Sequence, residues 1–161
     1  MSSDQAPLPT HLTALLALNN AHATELSWLE PDRLQAMLAG AFMARGIGDA
    51  EALLIAFDQD AAYDSANFLW FRAQYPRFVY VDRIVTAPEA RGRGHARRLY
   101  DALFEAARAA GHDRIVCEVN VQPPNAASMA FHESLGFAEV GRAAIDGGRK
   151  TVAYLACPLS A

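Results

Sequence analysis

The feature that most constrains the fold is a strand, a glycine-bearing turn and a helix that follow one another in mid-chain. The strand Phe78–Thr86 is β-branched and aromatic, which is typical of a buried strand. After the turn Arg91–Ala96, apolar residues recur every three or four positions over the helix His95–Ala110. A further strand is predicted at Arg114–Val119, so these segments predict one parallel strand pair joined by a right-handed helical crossover.

The turn itself predicts an anion site. Backbone N–H groups and the dipole at the start of a helix attract negative charge, and the guanidinium groups of the two turn arginines suit phosphate oxygens. A Walker loop would continue Gly-Lys-Ser/Thr at Gly94, and a dinucleotide fingerprint would need glycine in place of Arg97. The pattern that fits is R-x-x-G-x-A, with Arg91, Gly94 and Ala96. The alternative is a surface turn with solvated arginines.

Two motifs together carry a resemblance to a known family. The R-x-x-G-x-A turn resembles the coenzyme A pyrophosphate turn of the GNAT superfamily of acetyl-CoA-dependent N-acetyltransferases. The segment Asn125–Phe137 is similar to the family's N-x-x-A-x-x-L-Y-E-x-L-G-F, with Ser128 replacing alanine and His132 replacing tyrosine. Glu118 and the next valine resemble the Glu-Val pair of ribosomal-protein N-terminal acetyltransferases. The resemblance implies acetyl transfer from acetyl-CoA to a primary amine, by direct attack in a ternary complex.

The elements predicted along the chain fit a single α+β domain over residues 1–161, with residues 1–9 flexible. The predicted strands are Leu12–Leu18, Ala41–Arg45, Ala52–Phe57, Phe78–Thr86, Arg114–Val119, Phe137–Ile145 and Thr151–Cys157. The predicted helices are Ala21–Leu29, Pro31–Leu38, Asn67–Gln74 within the long connection Asp58–Pro76, His95–Ala110 and Asn125–Leu135. The resemblance implies a mixed, mostly antiparallel seven-stranded sheet with about four helices, whose central parallel pair is splayed around the coenzyme.

The composition limits which partners and which cellular compartment are expected for this chain. The net charge is −4 and no basic tract lies outside residues 91–98, so nucleic-acid binding is not predicted. No apolar run is long enough for a membrane span, and two cysteines alone favour a reducing cytoplasm. The histidines lack the spacing of metal ligands, so no metal is predicted. A homodimer is compatible with the resemblance, since dimers are common in the family.

Three side chains are candidates for acid–base chemistry. A lysine-like amine has a pKa of about 10.4 and must lose a proton before it attacks, so a base is needed. Glu118 is the first candidate, because it lies on an apolar strand and its position resembles that of the base in ribosomal-protein acetyltransferases; a structural ion pair is the alternative. Asp82 is the rival base or a structural acceptor, and strand alternation places it and Arg83 on opposite faces. His132 is the candidate acid for the departing thiolate, or a packing residue.

The resemblance also implies the residues that hold acetyl-CoA. The backbone of residues 84–86 would pair with the pantetheine arm like a strand and would offer an N–H group to the thioester oxygen. Asn125 would bond the coenzyme, cap its own helix, or do both. The full predicted set is Ile84, Val85, Thr86, Arg91, Gly92, Arg93, Gly94, His95, Ala96, Asn125 and Ser128.

The acceptor site is predicted along the segment Asp58–Tyr80, which is rich in aromatic and acidic residues. Aromatic walls with carboxylates suit a small, positively charged primary amine. The predicted acceptor residues are Glu25, Trp28, Asn67, Phe68, Trp70, Tyr80 and Asn120. The alternative is that the aromatic side chains cover one face of the sheet and the acids solvate a loop.

Two other functions are compatible with these motifs. A non-catalytic acetyl-CoA sensor would keep the turn but would not need Glu118 or an open acceptor pocket. The other is a protein N-terminal acetyltransferase, whose acceptor would be a protein N-terminus. The sequence does not choose between a small amine and a protein N-terminus.

Overall fold

A computed structural model describes residues 12–21, 28–48 and 50–159 of the chain. Its helices are α1 (Leu12–Ala21), α2 (Pro31–Gly40), α3 (Ala66–Gln74), α4 (His95–Ala109) and α5 (Ala126–Ser134). Its strands are β1 (Met43–Ile47), β2 (Ala52–Asp58), β3 (Val79–Thr86), β4 (Arg114–Gln122), β5 (Ala138–Ile145) and β6 (Lys150–Pro158). The strands form one sheet in the order β1-β2-β3-β4-β6-β5, antiparallel except for the central pair β3 and β4.

The α+β architecture with one parallel pair is confirmed, but the element count differs from the sequence prediction. The predicted strand Leu12–Leu18 is helical, so the described residues form six strands and five helices. Leu15 and Leu18 are both buried, three positions apart, which is the spacing of one helix face and not of a strand. The predicted helix Ala21–Leu29 lies largely outside the described residues, as do residues 1–9.

The central parallel pair separates after a short stretch of pairing. β3 and β4 are in register only at Val79 with Ile115 and at Tyr80 with Val116. Further along β3, Asp82 is an extra residue, because the neighbours Val81 and Arg83 already pair with consecutive positions of β2. Such a β-bulge bends its strand and increases the local twist. The two strands therefore diverge, as predicted, and a cleft opens between them.

Each face of the sheet is covered by its own layer of helices. Helices α1, α2 and α3 pack on one face, where Phe68, Phe71 and Tyr80 are fully buried. Helix α4 packs on the other face through Leu99, Leu103 and neighbouring residues spaced one helical turn apart. Because α4 follows the turn directly, its first residues lie at the mouth of the cleft between β3 and β4.

Candidate active site

A cavity of about 710 Å³ lies at the start of α4, and we call it the turn cavity. It is bounded by the end of β3, the glycine-bearing turn and one side of α5, from Ala127 to His132. The predicted coenzyme residues that line it are Ile84, Val85, Thr86, Arg91, Gly92, Gly94, His95, Ala96, Asn125 and Ser128. Arg93 does not line it, and its guanidinium lies 3.2 Å from the carboxylate of Glu51.

The backbone of the turn explains its two glycines. Gly92 and Gly94 have φ angles of 82° and 76°, a region that side chains with a Cβ rarely adopt. An added Cβ at either position would meet nothing within 4 Å, so each glycine faces open space. Among the described residues no side chain caps α4 at Gly94, which leaves the N–H donors of the first helical turn available to a ligand. This cradle fits a phosphate group.

Glu51, which directly precedes β2, contacts residues on both sides of the turn; the sequence analysis missed it. The Glu51 carboxylate lies 2.9 Å from Nε2 of His95, and its backbone carbonyl accepts a hydrogen bond from the N–H of Ala87. Arg98 contacts Nδ1 of the same buried imidazole. These contacts tie the β1–β2 hairpin to the start of α4. No local sequence signal links positions so far apart in the chain.

Glu118 lies on β4 where the two parallel strands diverge. One carboxylate oxygen accepts a hydrogen bond of 2.7 Å from the Tyr80 hydroxyl. Burial, followed by the negative charge of Asp82, raises the pKa of Glu118 to about 8, against the opposing effects of the Tyr80 hydrogen bond and Arg83. A carboxylate with a pKa this close to neutrality is suited to exchange a proton with a bound ligand.

Asp82 is a hydrogen-bonded acceptor whose two oxygens are both occupied. The bulge places Asp82 and Arg83 on the same face of β3, so the prediction of opposite faces was wrong. Arg83 Nε donates to one carboxylate oxygen at 2.6 Å, and the Tyr63 hydroxyl donates to the other at 2.5 Å. Arg83 also donates to the side chain of Asn19 at 2.6 Å. This network fits the structural alternative for Asp82 better than a role as base.

His132 is buried, and both of its ring nitrogens are engaged. Nδ1 lies 2.7 Å from the backbone carbonyl of Ser128, which can only accept, so Nδ1 carries the hydrogen. Nε2 therefore accepts from the Tyr100 hydroxyl at 2.6 Å. Burial lowers the pKa of His132, which keeps the imidazole neutral. In this arrangement no imidazole N–H group points to a leaving thiolate, which favours the packing alternative.

Two smaller cavities meet at Glu118. The inner cavity, of about 90 Å³, is lined by Glu118, Asn120 and Tyr100, and it shares Asn125, Ser128 and other residues with the turn cavity. The outer cavity, of about 350 Å³, is also lined by Glu118. The predicted acceptor residues Trp28, Asn67 and Tyr80 line the outer cavity, and so do Arg33 and Ser65, which the sequence analysis missed.

The other predicted acceptor residues are placed differently. Phe68 is fully buried in the core against Tyr80, and Trp70 stacks on Tyr154 with ring centroids 4.2 Å apart. Neither lines the turn cavity, the inner cavity or the outer cavity, so the alternative that these aromatic side chains cover the sheet describes both of them. Glu25 lies outside the described residues.

The comparison with known families agrees with this geometry. The model of the acetyltransferase (GNAT) family matches residues 16–137. The chain belongs to the GNAT family. It is therefore an acyltransferase with acetyl-CoA as its cosubstrate, and the turn cavity with its glycine cradle provides residues that fit the diphosphate of that coenzyme.

Solved structures of other acetyltransferases share the fold of this GNAT enzyme. The ribosomal-protein-S18-alanine N-acetyltransferase of Escherichia coli aligns with a TM-score of 0.69 and 20% identity over 97% of this chain and 92% of that chain. A putative phosphinothricin N-acetyltransferase aligns with a TM-score of 0.69 and 20% identity over 97% of each chain. A putative acetyltransferase from Salmonella typhimurium, solved with acetyl-CoA, aligns with a TM-score of 0.67 and 18% identity over 94% of this chain and 90% of that chain. Curated protein sequences give no match.

Two further findings concern ligands and membranes. Within the described ranges of this GNAT enzyme, no group of three or more histidine, cysteine or acidic side chains could hold a metal ion. No helix in the same part of the chain is both long enough and apolar enough to cross a bilayer.

Proposed function

We propose that this GNAT enzyme acetylates the primary amine of a small molecule that arrives as an ammonium cation. One observation carries the proposal: Glu118, with its raised pKa, lines both the inner and the outer cavity. The inner cavity shares Ile84, Asn125, Ser128 and His132 with the turn cavity, so in this proposal Glu118 lies between the coenzyme and the acceptor. A non-catalytic sensor would need neither this carboxylate nor an open outer cavity.

In the proposed mechanism, Glu118 takes the proton of the bound ammonium group. The Tyr80 hydroxyl occupies one of its oxygens and thereby orients the other oxygen as the proton acceptor. Bound acetyl-CoA supplies the thioester acyl group that the neutral amine attacks. The β3 edge beyond Tyr80 is not paired with β4, which leaves backbone N–H groups near Ile84 to stabilise negative charge on the acyl oxygen.

Asp82 and His132 take supporting parts in this proposal. The charge of Asp82 favours a cation beside Glu118 and raises the pKa of the Glu118 carboxyl. His132 stays neutral and, through Tyr100, ties α5 to α4. A coenzyme thiol, with a pKa close to the cysteine value of about 8.5, leaves as a thiolate without an obligatory acid.

The test measures the thiol released from acetyl-CoA in the presence of amino acids, polyamines, aminoglycosides and short peptides with free N-termini. We expect release with at least one small amine, and Glu118→Gln should lower kcat by about 10²–10⁴-fold, as expected for loss of a general base. The exposed carboxyl of Glu105 on α4 offers a matched control, and Glu105→Gln should retain activity.

Each other outcome would contradict the proposal. Release with peptides alone would identify a protein N-terminal acetyltransferase. Binding of acetyl-CoA without release for any amine would favour a sensor. Full activity in Glu118→Gln would show that the base lies elsewhere.

A further inference from the structure

Two polar side chains from the start of α3 line the outer cavity, and each has a hydrogen-bond donor available to a ligand. Ser65 Oγ accepts the capping hydrogen bond from the N–H of Phe68 at 3.5 Å, which leaves its O–H group to donate. Asn67 Oδ1 accepts from the Tyr154 hydroxyl at 2.8 Å, which leaves its NH₂ group. Within the described part of the chain, no hydrogen bond uses either donor.

Arg33, from α2, adds a positive charge to the same wall. Its guanidinium lies 5.2 Å from the centre of the Tyr63 ring, and one nitrogen lies 3.2 Å from the carboxylate of Asp64. Asp64 does not line the cavity and its side chain is 87% exposed, so solvent screens this ion pair. A guanidinium has five N–H donors, and most of those of Arg33 remain available to a ligand.

The opposite wall, contributed by β3 and β4, provides acceptors. Glu118 keeps the carboxylate oxygen that Tyr80 does not occupy, and Asp82 adds a second negative charge. Two arginines, Arg33 and Arg83, and two carboxyl groups thus line the outer cavity. A ligand with positive charge alone would leave the helix-side donors without a partner. A ligand with an ammonium group and an acidic group would satisfy both walls.

We propose that the acceptor is a small aminocarboxylate, with its ammonium group at Glu118 and its carboxylate at Arg33, Ser65 and Asn67. This inference rests on the proposed function, because it names the substrate class of the same site. Guanidinium and carboxylate groups form paired, charge-assisted hydrogen bonds, which supply both affinity and orientation. The proposed acceptor therefore carries one positive charge, on its ammonium group, and one negative charge, on its carboxylate.

The test compares amino acids with the amines that remain when the carboxylate is removed. The pairs are glycine and methylamine, β-alanine and ethylamine, γ-aminobutyrate and propylamine, and phenylalanine and phenethylamine. Thiol release from acetyl-CoA gives kcat/KM for each, at several pH values so that the pKa values of the amines do not set the ratio. We expect the carboxylated member of the best pair to be favoured by roughly 10- to 100-fold, as for a hydrogen bond to a charged group.

Variants connect this preference to the cavity wall. Arg33→Met should bring the ratio for the best pair close to one, and Asn67→Asp should lower it by placing a carboxylate at the same wall. Arg72 offers a matched control, because its guanidinium also lies over an aromatic ring, 5.5 Å from the centre of Phe68, but does not line the outer cavity. Arg72→Met should keep the wild-type ratio. Melting temperature and acetyl-CoA binding verify that each variant is folded.

The outcomes separate this inference from the proposed function. If plain amines are acetylated as efficiently as their carboxylated partners, the aminocarboxylate inference fails and the amine acetyltransferase stands. An unchanged ratio in a folded Arg33→Met variant would also overturn the inference. If no amine in the panel is acetylated by a protein that binds acetyl-CoA, the proposed function fails and the inference fails with it.

Discussion

The raised pKa of Glu118 predicts that the folded protein loses stability as the pH rises. The pKa of this carboxyl is about 8 in the folded state, against an ordinary value of 4.5. Between these values the folded state holds a proton that the unfolded state has released, so the free energy of unfolding falls by about 1.36 kcal/mol per pH unit. Above pH 8 both states are ionised and the loss stops. The whole loss is on the order of 5 kcal/mol.

Glu118→Gln should remove this loss, because glutamine is neutral at every pH and can still accept the Tyr80 hydrogen bond. Thermal unfolding of both proteins from pH 4.5 to pH 9, without coenzyme, measures the effect. We expect similar melting temperatures at pH 4.5 and a growing advantage for the variant that levels off above pH 8. In a chain of this length 1 kcal/mol corresponds to about 2–4 °C, so the final difference is on the order of 10 °C.

The exposed variant Glu105→Gln provides the control, since its effect on melting temperature should not change over the same pH range. The reasoning would be refuted by melting curves of Glu118→Gln and wild type that run parallel from pH 4.5 to pH 9. Such a result would mean that the carboxyl at position 118 ionises equally in both states, and the case for it as a base tuned by burial would be lost.

Three further predictions concern the cavities. Gly94→Glu should weaken coenzyme A binding by about 1–3 kcal/mol in calorimetry, because the new charge faces the phosphate cradle; unchanged affinity would contradict the assignment of the turn cavity. Asp82→Asn should lower the pKa of Glu118, so the rising limb of the pH profile of kcat/KM, which reports the free enzyme, should move from near pH 8 to lower pH; an unmoved limb would show that the charge of Asp82 does not affect the ionisation of Glu118. Tyr100→Phe leaves Nε2 of buried His132 without a donor and should lower stability by about 1–3 kcal/mol, whereas a fall in kcat beyond about 100-fold would restore an acid–base role to this pair.

The parts of the site that depend on local sequence could be predicted. The glycine turn, the start of α4 and the strand that bears Glu118 each have their own signal within a few residues. Their proximity follows from the strand–helix–strand order, because a right-handed crossover brings the turn to the end of β3 beside β4.

The parts that depend on contacts between distant elements could not be predicted. A bulge is defined by the register of the partner strand, so alternation along β3 alone placed Asp82 and Arg83 on opposite faces. Arg33 reaches the outer cavity from α2, and its role depends on packing that no neighbouring residue indicates. Phe68 belongs to a segment rich in aromatics, and composition does not tell a core face from a cavity wall.

The bulge at Asp82 has a consequence for how such a site is gained or lost. Val81 and Arg83 pair with adjacent residues of β2, so a chain lacking only residue 82 would have an uninterrupted antiparallel ladder. The side chains on either side of the deletion would keep their faces, and the rest of the sheet would keep its register. One inserted codon therefore separates a β3 without a bulge from a strand that presents a carboxylate and a guanidinium side by side. A single insertion or deletion can thus create or remove this charged pair in the lining of the outer cavity.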